Sequence, residues 1–141
     1  MTDDKALQER EMNPFCRDQN IAITLWNSLA RRFLAGNRTR DTHAPTVRSR
    51  NDDSAKNMYY QDADFGIVDV VLEIANEKDV SPAQIALAGL LQQPGVTSPI
   101  IGASKMPHLD QAVAALDIEL SSDECERLEA PYVPNKVLGH T

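Results

Sequence analysis

Two short runs of apolar, largely β-branched residues limit the fold more than any other feature of the sequence. They are Ile21–Trp26, IAITLW, and Val96–Ile101, VTSPII, and their length and composition are typical of buried strands. The surrounding sequence has helical patterns, and strands that alternate with helices predict an α/β fold with a parallel sheet. A parallel sheet of two strands does not form a self-sufficient core. We therefore expect this chain to be one part of a larger fold.

Five helices are predicted from apolar periodicity and from residues that begin or end helices. Serine or aspartate at a helix start accepts backbone N–H bonds, and proline is tolerated in the first turn. The predicted helices are about residues 9–19, a segment capped by Asp64, a segment from Ser81-Pro82 to Pro94-Gly95, about Pro107–Leu116, and a segment capped by Ser121 that ends at Pro131. The predicted order is helix, strand, long loop, two helices, strand, two helices and a tail.

The chain divides into a short tail, a partial domain and one long loop within that domain. Residues 1–8 are polar and are expected to be an N-terminal tail, while residues 9–141 form the partial domain. Residues 27–63 lack periodicity and are rich in Arg, Asn, Asp and Thr, which predicts a surface loop. A loop this long in a compact domain is either functional or disordered.

Composition and charge argue against several classes of protein. The apolar runs are far shorter than the roughly 20 residues of a membrane span. The acidic, polar start MTDDKALQER lacks the apolar core of a secretory signal, so we expect a cytoplasmic protein. The two cysteines have no metal or redox spacing and the three histidines are scattered, so no metal site is expected. The net charge of −7 argues against nucleic acid as a partner.

Positive charge is concentrated in the long loop despite the acidic total. Seven of the fourteen Lys and Arg residues lie between residues 31 and 56, namely Arg31, Arg32, Arg38, Arg40, Arg48, Arg50 and Lys56. A cationic loop on an acidic body favours a small anionic ligand over a long polyanion. Two interpretations stay open: a solvated, mobile loop, or a loop from which one arginine reaches a phosphate.

A strand–turn–helix unit after the second strand is the clearest candidate for ligand binding. Its turn is Gly102, Ala103, Ser104 and Lys105, just before the helix predicted from Pro107. Free N–H groups at a helix N-terminus attract phosphate together with the helix dipole. Glycine lets an anion approach the backbone, while Ser104 and Lys105 add a hydroxyl donor and a positive charge. The alternative is an ordinary capped turn.

Trp26 ends the first predicted strand and is the second candidate, with Asn27 and Ser28 directly after it. Ligands bind at the carboxyl ends of parallel strands in α/β folds, where a tryptophan can stack on a planar ring. The alternative is a tryptophan that belongs to the core or to a lid.

Four segments, in order, resemble the C-terminal part of the aldo-keto reductases, more narrowly their aryl-alcohol-dehydrogenase-like and potassium-channel β-subunit-like members. They are EREMNPFCRDQNI, LWNSLARRFLAG, VSPAQIALAGLLQQPGVTSPIIGASK and LEAPYVPNKVLGH, so the resemblance covers nearly the whole chain. It implies an α/β fold that is the C-terminal part of a (β/α)8 TIM barrel, incomplete, with about the last two to three βα units. It also implies NADP(H) binding at the carboxyl ends of the strands.

The resemblance further assigns cofactor contacts to residues of this chain. It implies that Trp26 stacks on the nicotinamide, that the next residues wrap the pyrophosphate, and that the segment after the last strand holds the adenosine 2′-phosphate. The first segment is Asn27, Ser28, Leu29 and Ala30, and the second is Gly102, Ala103, Ser104 and Lys105. His108 or Gln111 would contact the adenine side. Arg48 or Arg50 of the long loop would close over the cofactor.

The chain also departs from the family pattern. Family members commonly read W-S-P-L-A-R-G in the first segment, where this chain has Asn27, Ser28 and Arg32 in place of Ser, Pro and Gly. Gly89 lies where many relatives carry tryptophan. The family's catalytic Asp, Tyr, Lys and His lie on the first half of the barrel, so no catalytic residue is assigned to this chain.

The expected function is a fragment of an NADP(H)-dependent aldo-keto reductase, a family that reduces aldehydes or ketones or oxidises alcohols in reverse. We expect the chain to keep the cofactor-binding segments and to act on a small carbonyl substrate only when the missing half is supplied. The alternative is a non-catalytic module of the same fold that binds a nucleotide or a protein. Self-association through exposed barrel edges is a further expectation.

Overall fold

The computed structural model describes residues 11–36 and 62–133 of the chain. The elements are helix α1 Asn13–Asp18, strand β1 Ile23–Leu25, a 3₁₀ helix Ala30–Ala35, helix α2 Asp62–Lys78, helix α3 Pro82–Leu91, strand β2 Val96–Pro99, helix α4 Met106–Ala114 with a 3₁₀ turn Ala115–Asp117, and helix α5 Ser122–Glu129. Apart from the 3₁₀ segments, this is the order that the sequence predicts. No helix in the described part of the chain is long and apolar enough to cross a membrane.

The two strands lie side by side as a parallel pair, as the alternation of strands and helices predicts. Ile23 lies opposite Val96 and Leu25 lies opposite Pro99, with an irregularity in the pairing directly after Ile23. Since the strands run in the same direction, their carboxyl ends lie at the same edge of the sheet. The segments that follow β1 and β2 therefore leave the sheet close to each other.

Both strands are shorter than the apolar runs from which they were predicted. The Ile21 N–H donates to the carbonyl of Cys16 at 2.7 Å, so this residue is part of the turn between α1 and β1 rather than of the strand. At the other end of the sheet, Ile100 and Ile101 follow β2 and are exposed. Apolar, β-branched composition thus extended the predicted strands beyond the residues that pair.

The main hydrophobic core lies between helices rather than under the sheet. It contains Val71, Ile74 and Ala75 of α2, Ile85 and Ala88 of α3, and Leu120 before α5. Ile74 and Ile85 have no exposed surface at all. The apolar spacing in α2 predicts one buried stripe, and the structure shows that this stripe packs against α3 and the segment before α5.

A second, smaller cluster joins the 3₁₀ helix to α2. Phe33 and Val68 are buried there, and the rings of Phe33 and Phe65 meet edge to face, with 5.3 Å between centroids and 72° between planes. The sequence predicted a loop over residues 27–63, but Ala30–Ala35 form a 3₁₀ helix and α2 begins at Asp62. Residues 37–61 lie outside the described part of the chain.

Two serines begin helices as the sequence predicts. The Gln84 N–H donates to Ser81 Oγ and the Ser81 N–H donates back to Gln84 Oε1 at 2.9 Å. At α5, the Ser121 N–H donates to Glu124 Oε2 at 2.7 Å and the Glu124 N–H donates to Ser121 Oγ at 3.2 Å. These reciprocal pairs are capping boxes, in which each side chain satisfies a backbone donor of the first turn. Both caps are confirmed.

Two other residues singled out in helices have surroundings that the sequence did not indicate. Asp64 was expected to cap a helix, but α2 begins at Asp62, so Asp64 lies in its first turn instead. A Cβ atom at Gly89 would lie 3.3 Å from Leu128 Cδ1 and 3.6 Å from Leu120 Cδ1. The side chains of Leu128 and Leu120 therefore lie directly against α3 at Gly89.

Ion pairs tie α5 to α2 at the surface. The Arg127 guanidinium donates to both carboxylate oxygens of Glu77 at 2.8 and 2.9 Å and lies 3.5 Å from Glu73. Lys78 Nζ lies 3.1 Å from Glu124 Oε1. Such exposed pairs contribute little individually, but the paired contact of Arg127 fixes the orientation of two helices.

Acid is expected to destabilise the fold through Glu77 and Glu124. The hydrogen bond from Arg127 holds the pKa of Glu77 below its ordinary value of 4.5, and the backbone hydrogen bond at Ser121 does the same for the pKa of Glu124. A carboxylate with a lower pKa in the folded state stabilises the fold above its ordinary pKa, and the contribution disappears as pH falls through the folded value. The melting temperature, followed by circular dichroism, should therefore decrease below pH 4.5.

The matched variant for this prediction is Glu124→Gln. Glutamine still offers an oxygen to the Ser121 N–H, but it carries no charge for Lys78. At pH 7 its melting temperature should be lower by about 1–4 °C, as expected for one half-buried ion pair near the surface. Its loss of stability in acid should also be smaller than that of the wild type. Parallel pH profiles for the two proteins would contradict a role for the charge of Glu124.

Candidate functional site

The candidate site lies where β1 and β2 end at the same edge of the sheet. Trp26 directly follows β1, and the turn Gly102–Lys105 lies between β2 and α4. The pairing continues one residue past β2, because the Ile100 N–H donates to the carbonyl of Leu25 at 2.7 Å. The two segments predicted to contact a ligand thus start from strand ends that are hydrogen-bonded to each other.

The backbone after β1 turns sharply through left-handed conformations. Asn27, Ala30 and Arg32 have φ angles of 60°, 47° and 73°, and the Ala30 N–H donates to the Asn27 carbonyl at 2.8 Å. Asparagine tolerates this conformation, whereas it is costly for residues with larger side chains. Arg32 therefore has a backbone conformation for which glycine is the residue best suited.

Ser28 joins the two strand ends through its side chain. Its Oγ lies 3.1 Å from the carbonyl oxygen of Ile100 and 3.4 Å from that of Leu25. Ser28 is thus in hydrogen-bonding contact with a residue 72 positions away, two residues before Gly102. This contact is the direct link between the first and second predicted ligand-binding segments.

Trp26 lies at the surface rather than in the core. It is 54 % exposed, so the indole offers a face to a ligand or to another part of a larger fold. Leu29 and Ala30, farther along the same segment, are half-buried, and Ala30 packs against the cluster around Phe33. The interpretation of Trp26 as a core residue therefore does not apply within the described part of the chain.

The turn after β2 leaves the start of α4 open to ligands. All residues of the turn, Gly102, Ala103, Ser104 and Lys105, are exposed. Lys105 is the N-cap residue and has an extended backbone, with no side-chain hydrogen bond to cap the helix and no acidic residue in its first turn. This start differs from those of α3 and α5, where serines occupy the backbone donors. An anion could take their place at α4.

Gly102 is free of steric contact in the described structure. A Cβ atom built on it would meet no described atom within 4 Å, and its φ angle is not in the left-handed region. The backbone at this position is therefore accessible from solvent. An anion can approach its N–H groups more closely than it could beside a side chain.

His108 and Gln111 lie on α4, three residues apart and both exposed. This spacing places them on the same side of the helix. The His108 N–H donates to the Lys105 carbonyl at 3.1 Å, which closes the first turn. Arg48 and Arg50, the two arginines predicted to close over a cofactor, lie outside the described residues.

A stripe of exposed apolar residues on α4 was missed by the sequence interpretation. The stripe consists of Met106, Leu109 and Val113 of α4 and continues to Leu116 in the following 3₁₀ turn, with exposures of 67, 39, 55 and 67 %. Their spacing of three and four residues is a signal that could have identified the face in advance.

The contact of Ser28 with Ile100 was also missed by the sequence interpretation. No local pattern predicts a bond between residues so far apart in sequence.

Comparison with protein families identifies a match over most of the chain. The model of the aldo/keto reductase family matches residues 1–132. Among curated proteins, the chain is 33 % identical over 134 residues to versiconal hemiacetal acetate reductase of Aspergillus parasiticus, covering 92 % of the chain and 38 % of that protein. It is 34 % identical over 137 residues to a putative aryl-alcohol dehydrogenase of Schizosaccharomyces pombe, covering 94 % and 36 %. The chain thus spans under two fifths of these relatives.

Comparison with solved structures gives the same architecture. The glycerol dehydrogenase of Gluconobacter oxydans matches with a TM-score of 0.68 at 21 % identity, covering 96 % of this chain and 42 % of that chain. That protein is a TIM barrel, and the parallel strand pair with its helices corresponds to part of it. The predicted fold, an incomplete (β/α)8 barrel, is confirmed.

Proposed function

Because this chain belongs to the aldo/keto reductase family, we propose that it forms the NADP(H)-binding end of a reductase barrel. The observation that carries this proposal is the adjacent pair of strand ends, followed by an exposed turn and a helix start without a side-chain cap. Members of the family use nicotinamide cofactors. The proposal for this chain is narrower, since it names the 2′-phosphorylated form of the cofactor and the residues that hold it.

The 2′-phosphate is proposed to bind at Gly102–Lys105. The exposed N–H groups of the turn and the dipole of α4 favour an anion there, and Lys105 supplies a positive charge. Ser104 offers a hydroxyl donor within the same turn. These groups fit the chemistry of a phosphate, which accepts several hydrogen bonds and carries negative charge.

The nicotinamide and pyrophosphate are proposed to lie along the segment after β1. The exposed indole of Trp26 would stack on the nicotinamide ring. Asn27, Ser28, Leu29 and Ala30 form the turn beside the pyrophosphate, and its left-handed residues shape the backbone there. On the adenosine side, His108 and Gln111 would contact the adenine, and Arg48 or Arg50 would close over the cofactor.

The reaction of the complete barrel is proposed to be reduction of an aldehyde or ketone, or the reverse oxidation of an alcohol. The bound nicotinamide supplies or accepts the hydride. This chain binds and orients the cofactor, while protonation of the carbonyl oxygen requires an acid from the first half of the barrel. We place this activity in the cytoplasm, since Cys16 and Cys125 are both free thiols.

A second candidate function is a non-catalytic module that binds a nucleotide or another protein. The apolar stripe on α4 favours it, because exposed apolar faces on a helix commonly mark interaction surfaces. Saturable binding of NADPH without turnover of aldehydes would favour this function over the reductase. Self-association through the exposed sheet edges would appear as a concentration-dependent mass in sedimentation.

Cofactor binding can be tested through Trp26, which is the chain's single tryptophan. NADPH should quench its fluorescence in a saturable way. Lys105→Gln should lower NADPH affinity about tenfold, as expected for loss of one hydrogen bond to a charged group. It should leave NADH affinity unchanged, since NADH lacks the 2′-phosphate. Gly102→Ala should also weaken NADPH binding without changing stability, because its Cβ meets no described atom within 4 Å.

The control for charge is Lys78→Gln, which removes a positive charge from α2 and breaks the contact with Glu124. This variant should lower the melting temperature slightly and leave NADPH affinity as in the wild type. Absence of quenching by wild-type protein at millimolar NADPH would rule out the proposed function. An equal loss of NADPH and NADH affinity in Lys105→Gln would place the phosphate contact elsewhere.

A further inference from the structure

One hydroxyl connects the ends of both strands. Ser28 Oγ is within hydrogen-bonding distance of two carbonyl oxygens, 3.1 Å from that of Ile100 and 3.4 Å from that of Leu25. A serine hydroxyl has a single proton to donate. The shorter distance assigns that proton mainly to Ile100, the residue through which the chain leaves the sheet toward Gly102.

The contact of Ser28 adds to a backbone hydrogen bond that already joins Ile100 to the end of β1. The Ile100 N–H donates to the Leu25 carbonyl at 2.7 Å. Ile100 is therefore held to β1 through its N–H, and to Ser28 in the turn after β1 through its carbonyl. All residues from Ile100 to Lys105 are exposed, so little packing fixes the position of this segment. The hydroxyl of Ser28 therefore restrains the start of the turn at Gly102 relative to the segment after β1.

The same geometry argues against Ser28 as a principal donor to the pyrophosphate. Its proton is engaged with protein carbonyl oxygens, and its remaining lone pairs would repel a phosphate oxygen. Asn27, directly before it, and Ala30, two residues after it, have positive φ angles, so Ser28 lies within a sharp turn of the backbone. The hydroxyl of Ser28 thus joins the two strand ends instead of pointing its proton at a phosphate.

We propose that Ser28 is a positioning residue that sets the distance between the two halves of the dinucleotide site. It links the segment after β1, in which Trp26 faces the nicotinamide, to the segment Gly102–Lys105, which faces the 2′-phosphate. The inference rests on the proposed cofactor site and separates a residue that positions the site from the residues that contact the cofactor. A ligand that spans both segments depends on Ser28, whereas a ligand that touches only the second segment does not.

Calorimetry with two ligands, one that contacts both segments and one that contacts only the second, tests this positioning role. NADPH spans both segments, while 2′-AMP carries only the adenosine and its 2′-phosphate. Ser28→Ala should lower NADPH affinity about fivefold, in line with loss of one neutral hydrogen bond, and leave 2′-AMP affinity unchanged. Ser28→Thr keeps the hydroxyl and should restore NADPH affinity. Ser98→Ala, the same change at an exposed position in β2, should affect neither ligand.

Hydrogen exchange at the Ile100 amide provides a readout that needs no ligand. In Ser28→Ala this amide should exchange about fivefold faster, since its bond to Leu25 loses the neighbouring restraint. Equal losses for NADPH and 2′-AMP, or weakened NADPH binding with unchanged exchange at Ile100, would overturn the positioning role. If wild-type protein binds neither ligand, the proposed function fails, and the exchange rate alone decides whether Ser28 restrains the strand end.

Discussion

Replacing Ile85 by alanine is expected to lower the free energy of unfolding by about 2–5 kcal/mol. Ile85 has no exposed surface and packs in the core between α2 and α3, together with Ile74 and Leu120. The substitution removes buried methyl and methylene groups and leaves a cavity that the surrounding side chains fill only in part. Since small domains are stable by only about 5–15 kcal/mol, this loss is a large share of the total.

Urea denaturation followed by circular dichroism measures this effect. Ile85→Val removes one methylene group and should cost about 0.5–1.5 kcal/mol, so the two variants should rank by the volume removed. Leu109→Ala, on the exposed face of α4, should change stability by no more than about 0.5 kcal/mol. An Ile85→Ala variant as stable as Leu109→Ala would mean that the helical core does not support the fold.

Local chemistry explains which parts of the fold the sequence could predict. The capping boxes at Ser81 and Ser121 involve residues only three positions apart, so serine and a following Gln or Glu indicate them directly. The 3₁₀ helix at Ala30–Ala35 has no such signal, because it is stabilised by tertiary contacts of Phe33 with Phe65 and α2. A segment held by distant side chains needs no periodicity of its own.

In the candidate site too, some features could be predicted from the sequence and others depend on tertiary contacts. The sequence predicted that the segments after the two strands lie at one edge of a parallel sheet, and the pairing of Leu25 with Pro99 confirms it. The cofactor contacts of Trp26 and Lys105 stay predictions. The bond from Ser28 to Ile100 could not be predicted, since these residues are 72 positions apart and their contact depends on the register of the two strands.

Gly36→Ala is expected to lower the free energy of unfolding by about 2–4 kcal/mol, through backbone strain and overpacking together. Gly36 ends the 3₁₀ helix with a left-handed φ of 73°, and its N–H donates to the Phe33 carbonyl. A Cβ atom there would lie 2.9 Å from Leu72 Cδ2 and 3.2 Å from Pro82 Cγ. Alanine therefore adds left-handed strain and requires the Leu72 side chain to move and the Pro82 ring to shift by a few tenths of an ångström.

The loss of stability should be accompanied by weaker NADPH binding, because the 3₁₀ helix continues directly from the segment after Trp26. The matched variant is Arg32→Gly, in the same 3₁₀ helix and at the same φ of 73°. Arg32 is exposed, so glycine relieves the left-handed strain without loss of packing and should raise stability by up to about 1 kcal/mol. Urea titrations of both variants measure the two shifts. Shifts in the same direction would show that backbone conformation does not control the stability of this segment.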